Sequence, residues 1–160
     1  MVGLRLVVVV ALALVWAFGF GAPARAQSAA PKVYAVDFTA QWCPNCRVLN
    51  PAFAQALQVL DDPRLERVDF DVTDARENPD RYVSIQALAE PRNLIGVYEA
   101  WIGLTGLVVL AAADTGEPIA CLSRLQSAQA MVSAMRAALR QVEQRPAFQR
   151  FSGAPPCPGL

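Results

Sequence analysis

Two cysteines stand three positions apart in the stretch VDFTAQWCPNCRVLNP, residues 36–51. Cys43 and Cys46 lie where a strand-like run gives way to a helix-like one. In the first turn of a helix the backbone N–H groups lack intrahelical partners and the dipole presents its positive end, so a thiolate is stabilised there. A thiol in that position has a lowered pKa, which makes Cys43 the candidate nucleophile.

The spacing of the pair predicts exchange chemistry. Cys46, one helical turn later, is expected to face the same way and to close a small disulfide with Cys43. Attack by Cys43 on a partner's disulfide would give a mixed disulfide, which Cys46 would resolve. Pro44 suits a first helical turn because it lacks an N–H. Asn45 adds no cation and the chain has no histidine, so we expect a potential on the reducing or middle side.

Two other interpretations of the CxxC are a structural disulfide and a metal site. Zinc normally takes four ligands from Cys, His or carboxylates. With no histidine, Cys121 and Cys157 would have to complete the set, and neither belongs to a second CxxC. Thiol–disulfide exchange is therefore favoured, and it needs neither a metal nor another cofactor.

The first 26 residues differ in kind from the rest of the chain. Arg5 precedes an apolar stretch over residues 6–24, followed by Ala24-Arg25-Ala26. This order predicts a secretory signal peptide cleaved after Ala26. The alternative is an uncleaved N-terminal membrane anchor. All four cysteines follow this site, so export would place them in a periplasmic or secreted, oxidising compartment.

Composition narrows the function classes. The 160 residues suit one domain, and a hydrophobic content of 54% is enough for a core. Lys plus Arg and Asp plus Glu both number 14, and removal of Arg5 and Arg25 leaves 12 basic against 14 acidic residues, a charge of −2. This balance argues against nucleic-acid or membrane-surface binding. We expect a monomer whose partners are protein thiols and disulfides, and a membrane electron donor is compatible with this.

Hydrophobic periodicity predicts the order strand, helix, strand, interrupted helix, strand, edge strand, helix. These elements span residues 33–40, 47–60, 66–73, 78–101, 104–113, 117–125 and 127–143. Pro91 interrupts the fourth element, and Ser127 is the predicted N-cap of the last. The order describes an α/β domain, residues 27–144, with the CxxC at the carboxyl end of a central strand. Residues 145–160 form a Pro/Gly-rich tail.

The CxxC segment resembles thioredoxin-like proteins, which have VDFWAxWCxxCK followed by a helix with proline. The positions in register are Val36, Asp37, Phe38, Ala40, Trp42, Cys43, Cys46, Arg47 in place of Lys, and Pro51. The resemblance covers roughly residues 32–143. It implies a thioredoxin-like fold with a central mixed β-sheet flanked by helices. The usual N-terminal strand and helix are expected to be absent, because Lys32 follows Gln27 by five positions.

The resemblance also implies roles for single residues. Cys43 would be the exposed nucleophile, Cys46 the buried resolving thiol and Trp42 an apolar wall beside them. Asp37 would be a buried carboxylate below Cys46 that accepts a proton during exchange, with a pKa raised by desolvation. The alternative is a carboxylate at a strand edge that reaches solvent. Asp69 stands where the family often has a lysine, so acidic surroundings are expected for Asp37.

One departure from the family concerns substrate binding. Thioredoxin-like proteins have a cis-proline before the third core strand, facing the CxxC and pairing with the substrate backbone. Here Thr105 stands at that position, and Gly106 is the next candidate. The N–H and hydroxyl of Thr105 are expected to lie close to the two sulfurs, where they could hydrogen-bond a thiolate or admit a metal ion.

Cys121 and Cys157 are expected to form a disulfide that ties the tail to the sheet in an oxidising compartment. The alternatives are two free thiols, or a second redox pair that passes electrons to the CxxC. The sequence as a whole predicts an exported thiol:disulfide oxidoreductase. The alternative function is a non-enzymatic thioredoxin-fold module, either a thiolate metallochaperone or a partner-binding domain with a structural CxxC disulfide.

Overall fold

A computed structural model describes residues 30–150 and Cys157. The strands are β1 Val33–Thr39, β2 Leu65–Asp71, β3 Leu107–Ala112 and β4 Pro118–Ser123. The helices are α1 Pro44–Leu60, α2 Asp80–Ala89, α3 Ile95–Trp101 and α4 Ala128–Gln144, with a 3-10 turn at Glu90–Arg92. The predicted signal peptide lies outside the described residues. Within them, no helix combines the length and the apolar character needed to cross a membrane.

The four strands form one mixed sheet in the order β2-β1-β3-β4. β1 runs parallel to β2 and antiparallel to β3, and β3 runs antiparallel to β4. The parallel pair is joined through α1, as a strand, helix, strand order requires. This arrangement confirms the predicted α/β, thioredoxin-like fold with helices flanking a mixed sheet.

The sheet has an apolar layer on each face because successive side chains of a strand point in opposite directions. Val36 and Phe38 of β1 face the layer formed with α2 and α3. Val33 and Ala35 face the layer formed with α1 and α4. β1 is therefore buried on both sides, which explains its nearly continuous apolar sequence.

Several element boundaries differ from the periodicity-based prediction. α1 begins at Pro44 and not at Arg47, because Cys43 takes the N-cap position. β3 begins at Leu107 because Gly103 and Gly106, with φ of +97° and +79°, turn the chain before it. The helix break predicted at Pro91 is present as the 3-10 turn.

The C-terminal tail is anchored to the start of β4. The buried Glu117 carboxylate accepts hydrogen bonds from the backbone N–H groups of Phe148 (2.7 Å) and Arg150 (2.9 Å). The Arg150 guanidinium donates to both carboxylate oxygens of Asp114, at 2.6 and 2.9 Å. Sequence reasoning treated this tail as irregular and did not find these contacts.

A disulfide joins Cys121 of β4 to Cys157, with Cα atoms 4.9 Å apart. Both cysteines are buried in the apolar layer between the sheet and α2–α3. The tail is thus held at Asp114 and Glu117 near the β3–β4 turn, and again by a covalent bond further along β4.

Candidate active site

Cys43 caps the N-terminus of α1. Its backbone is extended, and its sulfur accepts a hydrogen bond from the Cys46 N–H at 3.1 Å. Pro44 occupies the first helical turn. The Cys43 N–H donates to the Ala40 carbonyl at 3.1 Å, which ties the cap to the turn that leaves β1. An unpaired amide of the first turn therefore points at the Cys43 sulfur, as the sequence predicts.

Cys43 and Cys46 form a disulfide with Cα atoms 5.3 Å apart. Each residue is only 2% exposed. The expectation that Cys43 is exposed is therefore wrong for this disulfide-bonded state. The surrounding residues Trp42, Pro44 and Asn45 are exposed, so the sulfurs lie below a surface that a partner can reach.

Gly106 contacts the CxxC from the loop before β3. A Cβ placed on Gly106 would lie 2.5 Å from Asn45 Cβ and 3.4 Å from the Cys46 nitrogen. The Gly106 N–H donates to the Phe38 carbonyl at 2.8 Å and fixes this approach. Thr105 is half-buried, and no hydrogen bond joins its hydroxyl to another residue of the described chain. At Gly106 the φ of +79° carries no Cβ penalty for glycine, and Thr105 stays a predicted binding residue.

Trp42 is held beside the disulfide by the loop that follows β2. Its indole N–H donates to the Thr73 carbonyl at 3.0 Å, and the Arg76 guanidinium lies 4.9 Å from the ring centroid. The Gln41 N–H donates to the Thr73 hydroxyl at 3.0 Å. Sequence reasoning missed Thr73 and Arg76. Their proximity to Trp42 could have been predicted from the parallel pairing of β1 and β2. Parallel strands end at the same edge of a sheet, so the loops that follow them lie close together.

Asp37 is fully buried on β1. Its Oδ2 accepts a hydrogen bond from Arg67 Nη2 at 2.9 Å, and its Oδ1 has no hydrogen-bond partner among residues 30–150 and Cys157. Burial is the main cause that raises the pKa of Asp37 to about 6, with Arg67 opposing the shift and Asp69 adding to it. This carboxyl can hold or release a proton near neutral pH.

The acidic surroundings expected for Asp37 are offset by Arg67. Asp69 is the register partner of Asp37 on β2, but its side chain binds Arg67 Nε at 2.6 Å while the other side of the guanidinium binds Asp37. Arg67 also lies 5.4 Å from the centroid of the Phe53 ring. Sequence reasoning considered position 69 and overlooked the cation two residues earlier.

Replacing Asp37 with asparagine tests the consequence for stability. The folded pKa of about 6 exceeds the ordinary value of 3.8, so between these pH values the folded state binds more protons than the unfolded state. Wild-type stability should therefore fall as pH rises through this window. Asp37→Asn removes the fall, and we expect the variant to be more stable than wild type by about 2 kcal/mol at pH 8.

Urea unfolding at pH 4, 6 and 8 measures this effect. The advantage of Asp37→Asn should shrink toward pH 4, where the folded wild-type carboxyl is protonated and the unfolded one, with its ordinary pKa of 3.8, is only partly ionised. Asp69→Asn is the matched control, since its side chain is 51% exposed and its effect should stay within about 0.5 kcal/mol. An Asp37→Asn variant less stable than wild type at pH 8 would contradict the assignment.

No group of three or more His, Cys, Asp or Glu side chains within the described ranges is arranged to hold a metal ion. The disulfide at the start of α1 and the Gly106 loop that contacts it form the candidate site. Asp37, fully buried on the adjoining strand β1, stays the predicted proton acceptor.

Comparison with known proteins finds similarity to a family model and to two solved structures. A family model described as thioredoxin matches residues 25–90, which include β1, the CxxC, α1 and β2. A thioredoxin-family thiol:disulfide interchange protein from Chlorobium tepidum TLS is 25% identical, with a TM-score of 0.45, covering 68% of this chain and 80% of its own. A malarial protein is 13% identical, with a TM-score of 0.40, covering 66% of this chain and 94% of its own. No curated protein matches the chain.

Proposed function

We propose that the protein is an exported thiol:disulfide oxidoreductase acting on partner proteins, because the thioredoxin family model matches residues 25–90 and this range contains the CxxC pair. The observation that carries the proposal is the Cys43 sulfur at the N-cap of α1, where it accepts the Cys46 N–H at 3.1 Å. A sulfur held there is stabilised as a thiolate, both as nucleophile and as leaving group.

In the reducing direction, the Cys43 thiolate attacks one sulfur of a partner disulfide, and the partner's other sulfur leaves as a thiolate. The Cys46 thiolate then attacks Cys43 Sγ and displaces the partner's first sulfur. Two electrons pass to the partner, and the Cys43–Cys46 disulfide forms. The reverse sequence oxidises a partner dithiol, so the balance of the two directions depends on the potentials of the couples.

Asp37 is proposed to accept the Cys46 proton as Cys46 becomes a nucleophile. Three features support this role: the side chain is fully buried, its Oδ1 lacks a partner among the described residues, and its pKa is raised to about 6 by burial. Arg67 contacts Asp37 while its own side chain is 36% exposed. It therefore links the buried carboxyl to the solvent side of β2.

The partner-binding surface is proposed to consist of the exposed residues around the disulfide. Trp42 and Leu104 are 42% and 48% exposed, and Pro44 and Asn45 are exposed as well. Thr105, between Leu104 and Gly106, is proposed to complete this surface. Apolar side chains of this size contribute contact area to protein partners at low conformational cost.

Export to a periplasmic or similar compartment is supported by the Cys121–Cys157 disulfide, since such bonds persist outside the cytosol. The chemistry needs no cofactor. The protein is proposed to act as a monomer after cleavage at Ala26. A thiol donor in the membrane would suit it as a source of electrons.

A second function is favoured by one observation. Both CxxC cysteines are only 2% exposed, which suits a partner-binding module whose disulfide is a fixed cross-link. In that module the Trp42 and Leu104 surface would bind the partner, and no bond to sulfur would change.

Electron transfer to a protein substrate separates the two functions. The purified protein is reduced completely by prolonged incubation with a phosphine, freed of reductant and mixed in severalfold molar excess with native insulin, because separating the insulin chains takes more than one dithiol per insulin. Alkylation and peptide mapping then follow each cysteine pair. We expect Cys43 and Cys46 to become oxidised as insulin chains separate, while an unreacted Cys43–Cys46 dithiol would refute exchange and favour the fixed cross-link.

A further inference from the structure

We propose that Gly106 determines which reductants reach the Cys43–Cys46 disulfide, and that it selects protein partners over small thiols. The inference rests on the proposed function, because selection matters only if the disulfide is exchanged. Gly106 acts as a specificity-determining residue: its loop packs against Asn45 and the Cys46 nitrogen, which lies 3.1 Å from the Cys43 sulfur, and it takes no part in bond formation.

The burial of the pair is unusual for its position. At the helix start the two cysteines differ from their neighbours in exposure. Cys43 and Cys46 are each 2% exposed, whereas the residues next to them are exposed: Trp42, Pro44 and Asn45. A helix N-terminus that projects from the sheet edge would leave its cap residue accessible. Another part of the chain must therefore cover the sulfurs.

The loop before β3 contacts the CxxC backbone directly. A Cβ at Gly106 would come within 2.5 Å of Asn45 Cβ and 3.4 Å of both the Asn45 carbonyl carbon and the Cys46 nitrogen. The first distance is shorter than real Cβ contacts allow, so only a residue without a side chain can approach this closely. The absent side chain at position 106 thus lets the loop rest on the CxxC.

The backbone at position 106 is suited to glycine for a second reason. Its φ is +79°, in the left-handed region where glycine carries no Cβ penalty. Its N–H donates to the Phe38 carbonyl at 2.8 Å, which anchors the loop to the end of β1. The loop is therefore held against the CxxC backbone, from one side by β1 and from the other by its close approach to Asn45.

The preceding part of the loop is more open. Gly103 has φ of +97°, and nothing lies within 4 Å of a Cβ placed there. Leu104 is 48% exposed. A protein that binds Leu104 and Trp42 can use that contact to draw the loop away from Asn45, whereas a small thiol has no comparable contact to use. The predicted substrates are therefore disulfides and dithiols of proteins, and low-molecular-weight thiols should react slowly.

The test measures reduction of the oxidised full chain by dithiothreitol. This dithiol gives two electrons to the disulfide and leaves as its own cyclic disulfide. Samples are quenched with acid and alkylated, and peptide mapping reports Cys43–Cys46 and Cys121–Cys157 separately. Gly106→Ala should accelerate reduction of Cys43–Cys46 at least tenfold and change the rate for Cys121–Cys157 less than twofold.

Gly103→Ala is the matched control, because it places alanine at a similar positive φ but meets no neighbouring atom. We expect less than a twofold change in the rate for Cys43–Cys46. Equal acceleration by both substitutions would overturn the proposal, since backbone strain alone would then explain the effect. Equal acceleration of both disulfides by Gly106→Ala would also overturn it, because the cause would be general loosening.

Asn45→Gly supplies a second, complementary change. Alone, this substitution removes the Asn45 Cβ that lies nearest to position 106. Reduction of Cys43–Cys46 should then be about threefold faster than in wild type. This measurement tests the proposal even if Gly106→Ala does not fold. In the double variant, Asn45→Gly makes room for the methyl group that Gly106→Ala introduces. The rate of Cys43–Cys46 reduction should then return to within threefold of the wild-type rate. An unchanged rate in Asn45→Gly would overturn the proposal.

These outcomes are independent of the proposed function. Dithiothreitol reports how well the sulfurs are covered whether or not a protein partner exists. If the Gly106→Ala effect appears but insulin receives no electrons from any reduced variant, exchange with proteins fails while the covering role of Gly106 stands.

Discussion

Replacement of Cys46 by serine is expected to convert transient exchange into a stable covalent complex. The Cys43 sulfur keeps its place at the N-cap of α1, because the Cys46 N–H that it accepts belongs to the backbone. Cys43 can therefore still attack a partner disulfide, but no thiol remains to resolve the product. Turnover should fall by at least about a thousandfold, and the Cys43–partner disulfide should accumulate.

Non-reducing electrophoresis and mass spectrometry after mixing the reduced variant with oxidised insulin measure the adduct. Cys43→Ser is the matched control and should lose turnover to the same extent without forming any adduct. Adducts of similar yield in both variants would show that Cys43 is not the nucleophile. Absence of an adduct from Cys46→Ser would favour the fixed cross-link described above.

Removal of the Cys121–Cys157 bond is expected to have the largest effect on stability. The bond joins residues separated by 36 positions, and a loop of this length restricts the unfolded chain enough to contribute roughly 3–4 kcal/mol in the chain-entropy model. The double variant Cys121→Ala/Cys157→Ala should lose about this amount. Urea unfolding of oxidised wild type and variant at pH 7 gives the difference.

A matched substitution separates the covalent bond from the neighbouring ion pair. Asp114→Asn weakens the contact with the Arg150 guanidinium and leaves the covalent bond intact, and since Asp114 is 54% exposed we expect a loss of about 1 kcal/mol. A double cysteine variant within about 1 kcal/mol of wild type would contradict the tail-anchoring role assigned to the disulfide.

The same double variant addresses the second-redox-pair alternative. If the Cys121–Cys157 bond only anchors the tail, electron transfer from Cys43 and Cys46 to insulin should remain within about twofold of wild type while the variant is folded. A folded variant that no longer transfers electrons would instead assign Cys121 and Cys157 to the exchange pathway.

Local features of the site could be predicted because their causes lie within a few residues. The placement of Cys43 and Pro44 at a helix start follows from the change from strand to helix period, although the exact N-cap residue does not. The break at Pro91 and the Ser127 cap, whose hydroxyl accepts the Ala130 N–H at 3.2 Å, are local in the same way. The mixed α/β sheet followed from the order of such elements.

The contacts that complete the site join residues far apart in sequence. The Arg67–Asp37 pair spans 30 positions and the Trp42–Thr73 contact spans 31. Each depends on the pairing of β1 with β2, since that pairing decides which side chains and loops become neighbours. No short window of sequence contains both residues of either pair. The sequence therefore predicted acidic surroundings for Asp37, and the neighbouring Arg67 was not predicted.

The sequence by itself determined that two thiols stand at a helix start, that a carboxyl is available on the central strand, and that a sheet with helices carries them. These properties depend on residue type, spacing and periodicity. The tertiary structure alone decided that the sulfurs are covered, that Arg67 accompanies Asp37 and that the tail is bound by Glu117 and Asp114. Burial and charge pairing are set by segments that meet only when the chain packs, and Gly106 approaches the CxxC backbone because β3 is placed beside β1.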